Sequence, residues 1–304
     1  MKPFDILVAG EINPDLILSG DVVPAFGQAE KLVDSAVLTV GSSSVITACG
    51  AARLGLKVAF VGVCGDDLFG HFMLDEMKQR DIECSAVIVD PDRSTGLTVI
   101  LNRLNDRAML THLGAIDALT AGQLPDNLLA GARHLHVASY FLQTALRPGL
   151  PDLYRRAHAL GLTTSLDTNW DPSGEWRGID DLLRGVDVFL PNENEALAIS
   201  GAASVEGAAA SLVQRCGTLA IKCGAQGALA ARGEEIVRVP ARKVDVVDTV
   251  GAGDAFNAGF LYGFLSGWSL EKTLSLATAC GSLSARAAGG TVAQPTLEQA
   301  IRYL

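Results

Sequence analysis

The chain has 304 residues, 24 Lys and Arg against 34 Asp and Glu for a net charge of −10, and a hydrophobic content of 49%. That length buries a sizeable core, 19% charged residues exclude a disordered chain, and the acidic balance leaves no bulk field to hold nucleic acid. The 32 glycines are scattered rather than spaced in triplets, which excludes a collagen repeat and points to tight turns and close backbone approaches.

Met1 leads into an apolar strand at Ile6 to Ala9 without a basic leader or cleavage site, so no signal peptide is expected and the protein is placed in the cytoplasm. Asp15 to Val40 then breaks any regular pattern. A helix is predicted at Val45 to Leu54, a strand at Val58 to Val63 and a helix at Leu68 to Arg80. A second irregular stretch, Glu83 to Leu113, holds three short strands, Ser85 to Val89, Gly96 to Leu101 and Ala108 to Leu110, with turns such as Asn105-Asp106. Strands follow at His134 to Val137, Thr163 to Leu166, Val186 to Leu190 and Leu219 to Ile221, with helices at Leu150 to Leu160 and Glu193 to Ile199 between them. The chain ends in helical patterns from Ala255 to Phe264 and from Leu270 to Ala288.

Continuous apolar strands alternating with helices predict an α/β domain whose parallel sheet is covered on both faces, with residues 15–40 and 83–113 forming a small β-rich projection. The uncharged stretches Ser35 to Ala52 and Ala255 to Leu270 carry a Gly-Ser-Ser-Ser run and Asn257, so neither reads as a membrane span. The six cysteines form no C-x-x-C and read as buried thiols, and His134 and His136 lack further ligands at metal spacing.

The stretch with chemical content is Asp248-Thr-Val-Gly-Ala-Gly-Asp-Ala-Phe-Asn-Ala-Gly259. Gly251 and Gly253 permit an open turn, and the apolar run from Ala255 starts a buried helix, whose free N–H groups and dipole make an anion site. Asp254 in that turn is either a helix cap or a general base beside a bound phosphate, and amides plus a base are the minimum set for phosphoryl transfer. No G-x-x-x-x-G-K-[ST] occurs, and the G-x-G-x-x-G beginning at Gly251 is broken by Phe256, so neither a P-loop nor a dinucleotide fingerprint is present.

This stretch resembles the C-terminal signature of the PfkB family of carbohydrate kinases, which have the ribokinase-like fold, and the resemblance extends over essentially the whole chain. Gly10-Glu-Ile-Asn13-Pro-Asp15 is similar to the family's opening strand with its sugar-contacting residues, and Gly41 to Gly55 to its N-terminal signature. Pro191-Asn192-Glu-Asn-Glu195 is similar to its N-x-x-E motif and Lys222-Cys-Gly-Ala-Gln-Gly227 to its nucleotide loop. The resemblance implies a three-layer α/β/α body with a β-sheet lid, ATP-dependent phosphorylation of a sugar-like hydroxyl, and a homodimer through the lid. It implies Asp254 as base and Gly251, Ala252 and Gly253 as anion hole; Asn13, Asp15, Gly41 and Ser42 on the substrate; and Asn192, Glu195, Lys222, Gly224, Gly227 and Gly253 around ATP. Glu195 would hold Mg²⁺ through water, while Asp248, Val250, Ala287 and Gly289 resemble a monovalent-cation site, read as K⁺.

Two departures bear on the substrate. Ser42 and Ile46 stand where the signature usually has Gly and Asn, and Asp171 stands where several members have Arg in a D-x-N-x-R segment. An Asp there would repel an anionic substrate, which favours a neutral monosaccharide or polyol unless Arg103 and Arg107 compensate. Ile46, Tyr140 and Phe141 leave a nucleoside kinase as the alternative, and a catalytically silent binding protein is the reading from another class. Two assignments keep a plain structural alternative: an Asx turn at Asn13-Pro-Asp15, and a capping box at Asn192 and Glu195 that is compatible with function.

Overall fold

The computed structural model describes residues 2–103 and 106–304. β1 (Phe4–Ala9) enters the main sheet, and β2 (Pro14–Ser19) and β3 (Ser35–Val40) leave it before α1 (Ser43–Arg53). Next come β4 (Val58–Val61), β5 (Val63–Gly65), α2 (Leu68–Lys78), β6 (Ile88–Asp90), β7 (Leu97–Arg103) and β8 (Asp106–His112). The middle of the chain comprises α3 (Asp126–Ala130), β9 (Ala132–Val137), α4 (Leu150–Ala159), β10 (Thr163–Leu166), α5 (Asp180–Leu183), β11 (Val188–Phe189), α6 (Glu193–Ser200) and α7 (Val205–Leu212). It closes with β12 (Thr218–Lys222), β13 (Ala228–Arg232), β14 (Glu235–Val239), α8 (Ala252–Leu265), α9 (Leu270–Ser284) and α10 (Leu297–Ile301).

The main sheet runs β14-β13-β12-β11-β10-β9-β1-β4 and is parallel except for the hairpin at the β14 edge. Successive β1 residues divide between two cores. Ile6 and Val8 pack with α1, α2, α8, α9 and α10, and Leu7 and Ala9 with α3 to α7. This is why the central strands read as unbroken apolar runs, and it makes the body a three-layer α/β/α sandwich.

A second sheet, β3-β2-β7-β8, is built from both irregular stretches. Less of the second stretch enters it than expected: Ile88–Asp90 pairs with β5 in a separate ladder, and only β7 and β8 join the small sheet. Asn105 of the expected turn lies outside the described residues. The hairpin β13–β14 was not anticipated, because Ala228 to Arg232 is alanine-rich and carries little β signal. Ile17 and Ile100 of the small sheet pack on Val250, so this lid rests against the turn that opens α8.

Candidate active site

α8 begins three residues earlier than the sequence pattern suggests, at Ala252, which places Asp254 in its first turn rather than before it. Gly251 caps the helix in a left-handed conformation, φ 71°, and a Cβ there would lie 2.5 Å from Gly290 Cα. Both facts demand glycine: the backbone is in the region that L side chains avoid, and the 290 loop fills the space a side chain needs. The Ala252 N–H closes weakly on Thr249 O at 3.3 Å, and the amides of Gly253 and Asp254 follow at the open helix end. Gly251→Ala is expected to cost roughly 1–3 kcal/mol of stability, read from urea unfolding, with activity lost as the turn shifts.

Burial pushes the Asp254 carboxyl up to about 7; Ser43 opposes this by donating a hydrogen bond, Asp167 adds to it, Lys222 opposes and Glu11 adds. The Ser43 hydroxyl binds Asp254 Oδ1 directly. Beneath lies a buried polar knot in which Lys222 Nζ donates to Asp167 Oδ2 at 2.6 Å and to Asn257 Oδ1 at 3.3 Å, while Asn257 Nδ2 donates to Asp167 Oδ2 at 2.6 Å. Burial alone would lower the Lys222 pKa, but Asp167 and then Glu195 hold it above the ordinary value. Lys222 therefore runs beneath the anion turn, with its Nζ 3.7 Å from where a Gly253 Cβ would stand.

Asn192 and Glu195 form the capping box of α6, with Asn192 N donating to Glu195 Oε2 at 2.8 Å and Asn192 Nδ2 to Oε1 at 2.6 Å. Burial, reinforced by Asp167, raises the Glu195 carboxyl to about 7. Each of its oxygens keeps a further lone pair, so the group fits a hydrated Mg²⁺, which takes water as ligand and uses few protein carboxylates.

On the other side of Asp254, Asn13 leads from β1 into the lid, and its Nδ2 donates to Thr98 Oγ1 at 3.4 Å and to Pro14 O at 3.3 Å. Asp15 is buried beside it, and burial outweighs the nearby Arg107 to lift its carboxyl to about 7, with Glu11 and Asp248 contributing. Gly41 lies directly on this pair: a Cβ would stand 2.2 Å from Asp15 Oδ1 and 2.8 Å from Asn13 O. Ser42, expected on the substrate, instead caps α1 by accepting from Val45 N and donates to Glu11 O at 2.7 Å. The segment 41–43, from the end of β3 into the first residue of α1, thus spans from Asp15 at one end to Asp254 at the other.

The Asp248 carboxylate ties two loops, accepting from Val250 N at 3.0 Å and Gly289 N at 3.1 Å. Asp248, Val250 and Gly289 are thereby brought together, with Ala287 two residues before Gly289, and the carboxylate and carbonyl oxygens these residues carry suit a hard monovalent cation. Gly224 opens and Gly227 caps a single 3₁₀ turn between β12 and β13.

The structure places the residues behind two specificity expectations. Asp171 is held below the ordinary carboxylate range despite its burial, because it accepts from Trp176 N at 2.7 Å, Ser173 Oγ at 2.8 Å and Ser173 N at 2.9 Å. Its hydrogen bonds are made within its own loop, and they keep its negative charge in place. Ile46 is buried against Gly290, and its carbonyl accepts from Gln294 Nε2 at 2.9 Å, while Tyr140 and Phe141 are buried in the main core. These three residues offer no platform for a base.

Sequence reasoning missed the roles of Glu11, Ser43, Asn169 and Asn257. Glu11 accepts from Ser44 N, Ser44 Oγ and Ser139 Oγ in a fully buried knot. The available signals were polar residues in apolar surroundings: Asn257 inside an apolar helix and three serines opening another.

Residues 4–297 match the family model described as pfkB family carbohydrate kinase. The chain is 31% identical to 2-dehydro-3-deoxygluconokinase from Bacillus subtilis over 84% of either protein, and 31% identical to a fructokinase from Klebsiella pneumoniae over 87% of this chain and 91% of that one. Its fold superposes with a TM-score of 0.84 on a fructokinase from Vibrio cholerae O395 solved with fructose, ADP and calcium, covering 100% of both chains at 23% identity. No described helix is long and apolar enough to cross a membrane. The chain belongs to the pfkB family of carbohydrate kinases and is a phosphotransferase that takes a sugar hydroxyl as acceptor.

Proposed function

We propose that the protein is an ATP-dependent kinase for a monosaccharide or related polyol, with Asp254 as general base and the Gly251–Gly253 amides as anion hole. The observation that carries this is the continuity of residues 41–43, which set the Asp15 carboxyl and the Asp254 carboxyl at the two ends of one short segment. Asn13 and Asp15 bind sugar hydroxyls at the first end. At the second, Asp254 takes the proton as the hydroxyl oxygen bonds to the γ-phosphorus and the bond to the ADP oxygen breaks. The turn amides and Lys222 neutralise charge on the moving phosphoryl. Asn192 and Glu195 would hold the water shell of Mg²⁺, which supplies charge neutralisation at the phosphates. Asp248 with the Val250, Ala287 and Gly289 carbonyls would hold K⁺, which stabilises the anion turn. The lid's two outer strands expose Val37 and Leu38 at one edge and Met109 and Leu110 at the other, apolar edges that suit a homodimer, which sedimentation would reveal.

A second substrate reading has one observation in its favour. Arg107 Nη1 lies 3.5 Å from Thr249 Oγ1, and its charge reaches Asp15, so a cation stands at the mouth between sugar and phosphate sites. An acidic sugar would pair with it. Turnover of fructose, ribose, 2-dehydro-3-deoxygluconate and adenosine with ATP and Mg²⁺ decides the acceptor, adenosine being expected to fail. If the substrate is acidic, Arg107→Ala lowers its kcat/KM by about tenfold or more, whereas a neutral sugar loses less than about threefold. Binding of every sugar without ADP release would overturn the kinase assignment.

A further inference from the structure

A chain of hydrogen bonds ends on Asp254. Ser139 N, a backbone group that can only donate, binds Asn169 Oδ1 at 2.9 Å, and Ser139 Oγ reaches the same oxygen at 3.3 Å. Asn169 is held there in a left-handed conformation, φ 51°, with its own N–H on Asp167 Oδ1 at 3.2 Å. Its oxygen is therefore committed, and its Nδ2 must be the atom that faces Ser43 Oγ, at 3.1 Å. Ser43 Oγ accepts from Asn169 Nδ2 with one of its lone pairs and donates its single hydrogen to Asp254 Oδ1.

We propose that Ser43 is a positioning residue for the base: oriented by Asn169, it donates to Oδ1, favours the carboxylate form and leaves Oδ2 to the substrate hydroxyl. This rests on Asp254 being the base. A hydroxyl donor bonds the ionised carboxylate more strongly than the neutral acid, and so works against the burial that protonates it. The other charged groups facing Asp254 are Lys222 from β12, which assists, and Asp167 and Glu11 from the ends of β10 and β1, which oppose.

The test is the pH profile of kcat/KM for Ser43→Ala, Ser43→Thr and Asn169→Asp beside Asp254→Asn. Removing the donor moves the acid limb of Ser43→Ala up by about one unit, so that the loss in kcat/KM at pH 6 is about tenfold greater than the loss on the alkaline plateau. Ser43→Thr keeps the hydroxyl and the wild-type limb. Asn169→Asp offers Ser43 a competing acceptor, so its limb moves in the same direction as that of Ser43→Ala. An unshifted limb in Ser43→Ala, or equal loss at every pH with no rescue by Thr, overturns the role of Ser43. If Asp254→Asn itself stays active, the base assignment fails instead, and the two failures are separable in one experiment.

Discussion

Asp254→Asn lowers kcat by about 10³-fold, within the 10²–10⁴ range of a lost general base, and leaves ATP affinity within about threefold by calorimetry. The substitution keeps the shape and the first-turn position in α8, so the anion turn survives and only proton acceptance is removed. The wild-type pH profile carries the same signature. Because burial lifts the carboxyl to about 7, kcat/KM rises as pH passes upward through that value and the base ionises, and it falls about tenfold for each unit below it. The mutant's residual rate loses that limb. Its full activity would remove Asp254 from the mechanism.

Most of the fold was legible because its strands are covered on both faces: an unbroken apolar run is what such a strand requires, and it is visible without a partner. The lid was legible only as a failure of that rhythm. Its membership was misjudged at Ile88–Asp90, whose pairing with β5 is set by where α2 returns the chain and not by the three residues themselves. Within the site, Gly251 to Asp254 announced themselves because glycine spacing reports a backbone demand that few other environments make. Ser43 and Asn169 did not, since a serine at a helix start and an asparagine after a strand are ordinary caps, and only the third dimension sets one against the other and both against Asp254. Asp171 shows the converse. The residue type was read correctly, but its carboxylate is consumed by Ser173 and Trp176 within its own loop.

The second large effect lies at the buried pair under the anion turn. The Asp167 and Lys222 side chains are 1% and 13% exposed, so removing one partner leaves a charge in a place that cannot hydrate it. Lys222→Met is expected to cost about 3–5 kcal/mol in urea unfolding, the usual penalty for an uncompensated buried charge. Adding Asp167→Asn removes the orphaned charge and recovers most of that loss, because Asn257 Nδ2 can still donate to the remaining amide oxygen. The cycle also separates stability from chemistry. At both Glu195 and Asp254, after burial, Asp167 raises the carboxyl and Lys222 lowers it. Lys222→Met alone therefore moves the acid limb of kcat/KM upward, and the double variant returns it toward the wild-type position as the two influences cancel. The plateau rate is expected to remain low in both, since neither retains the ammonium beneath Gly253 that is proposed to neutralise the transferring phosphoryl. A double variant that regains stability and full plateau activity would show that Lys222 serves the fold alone.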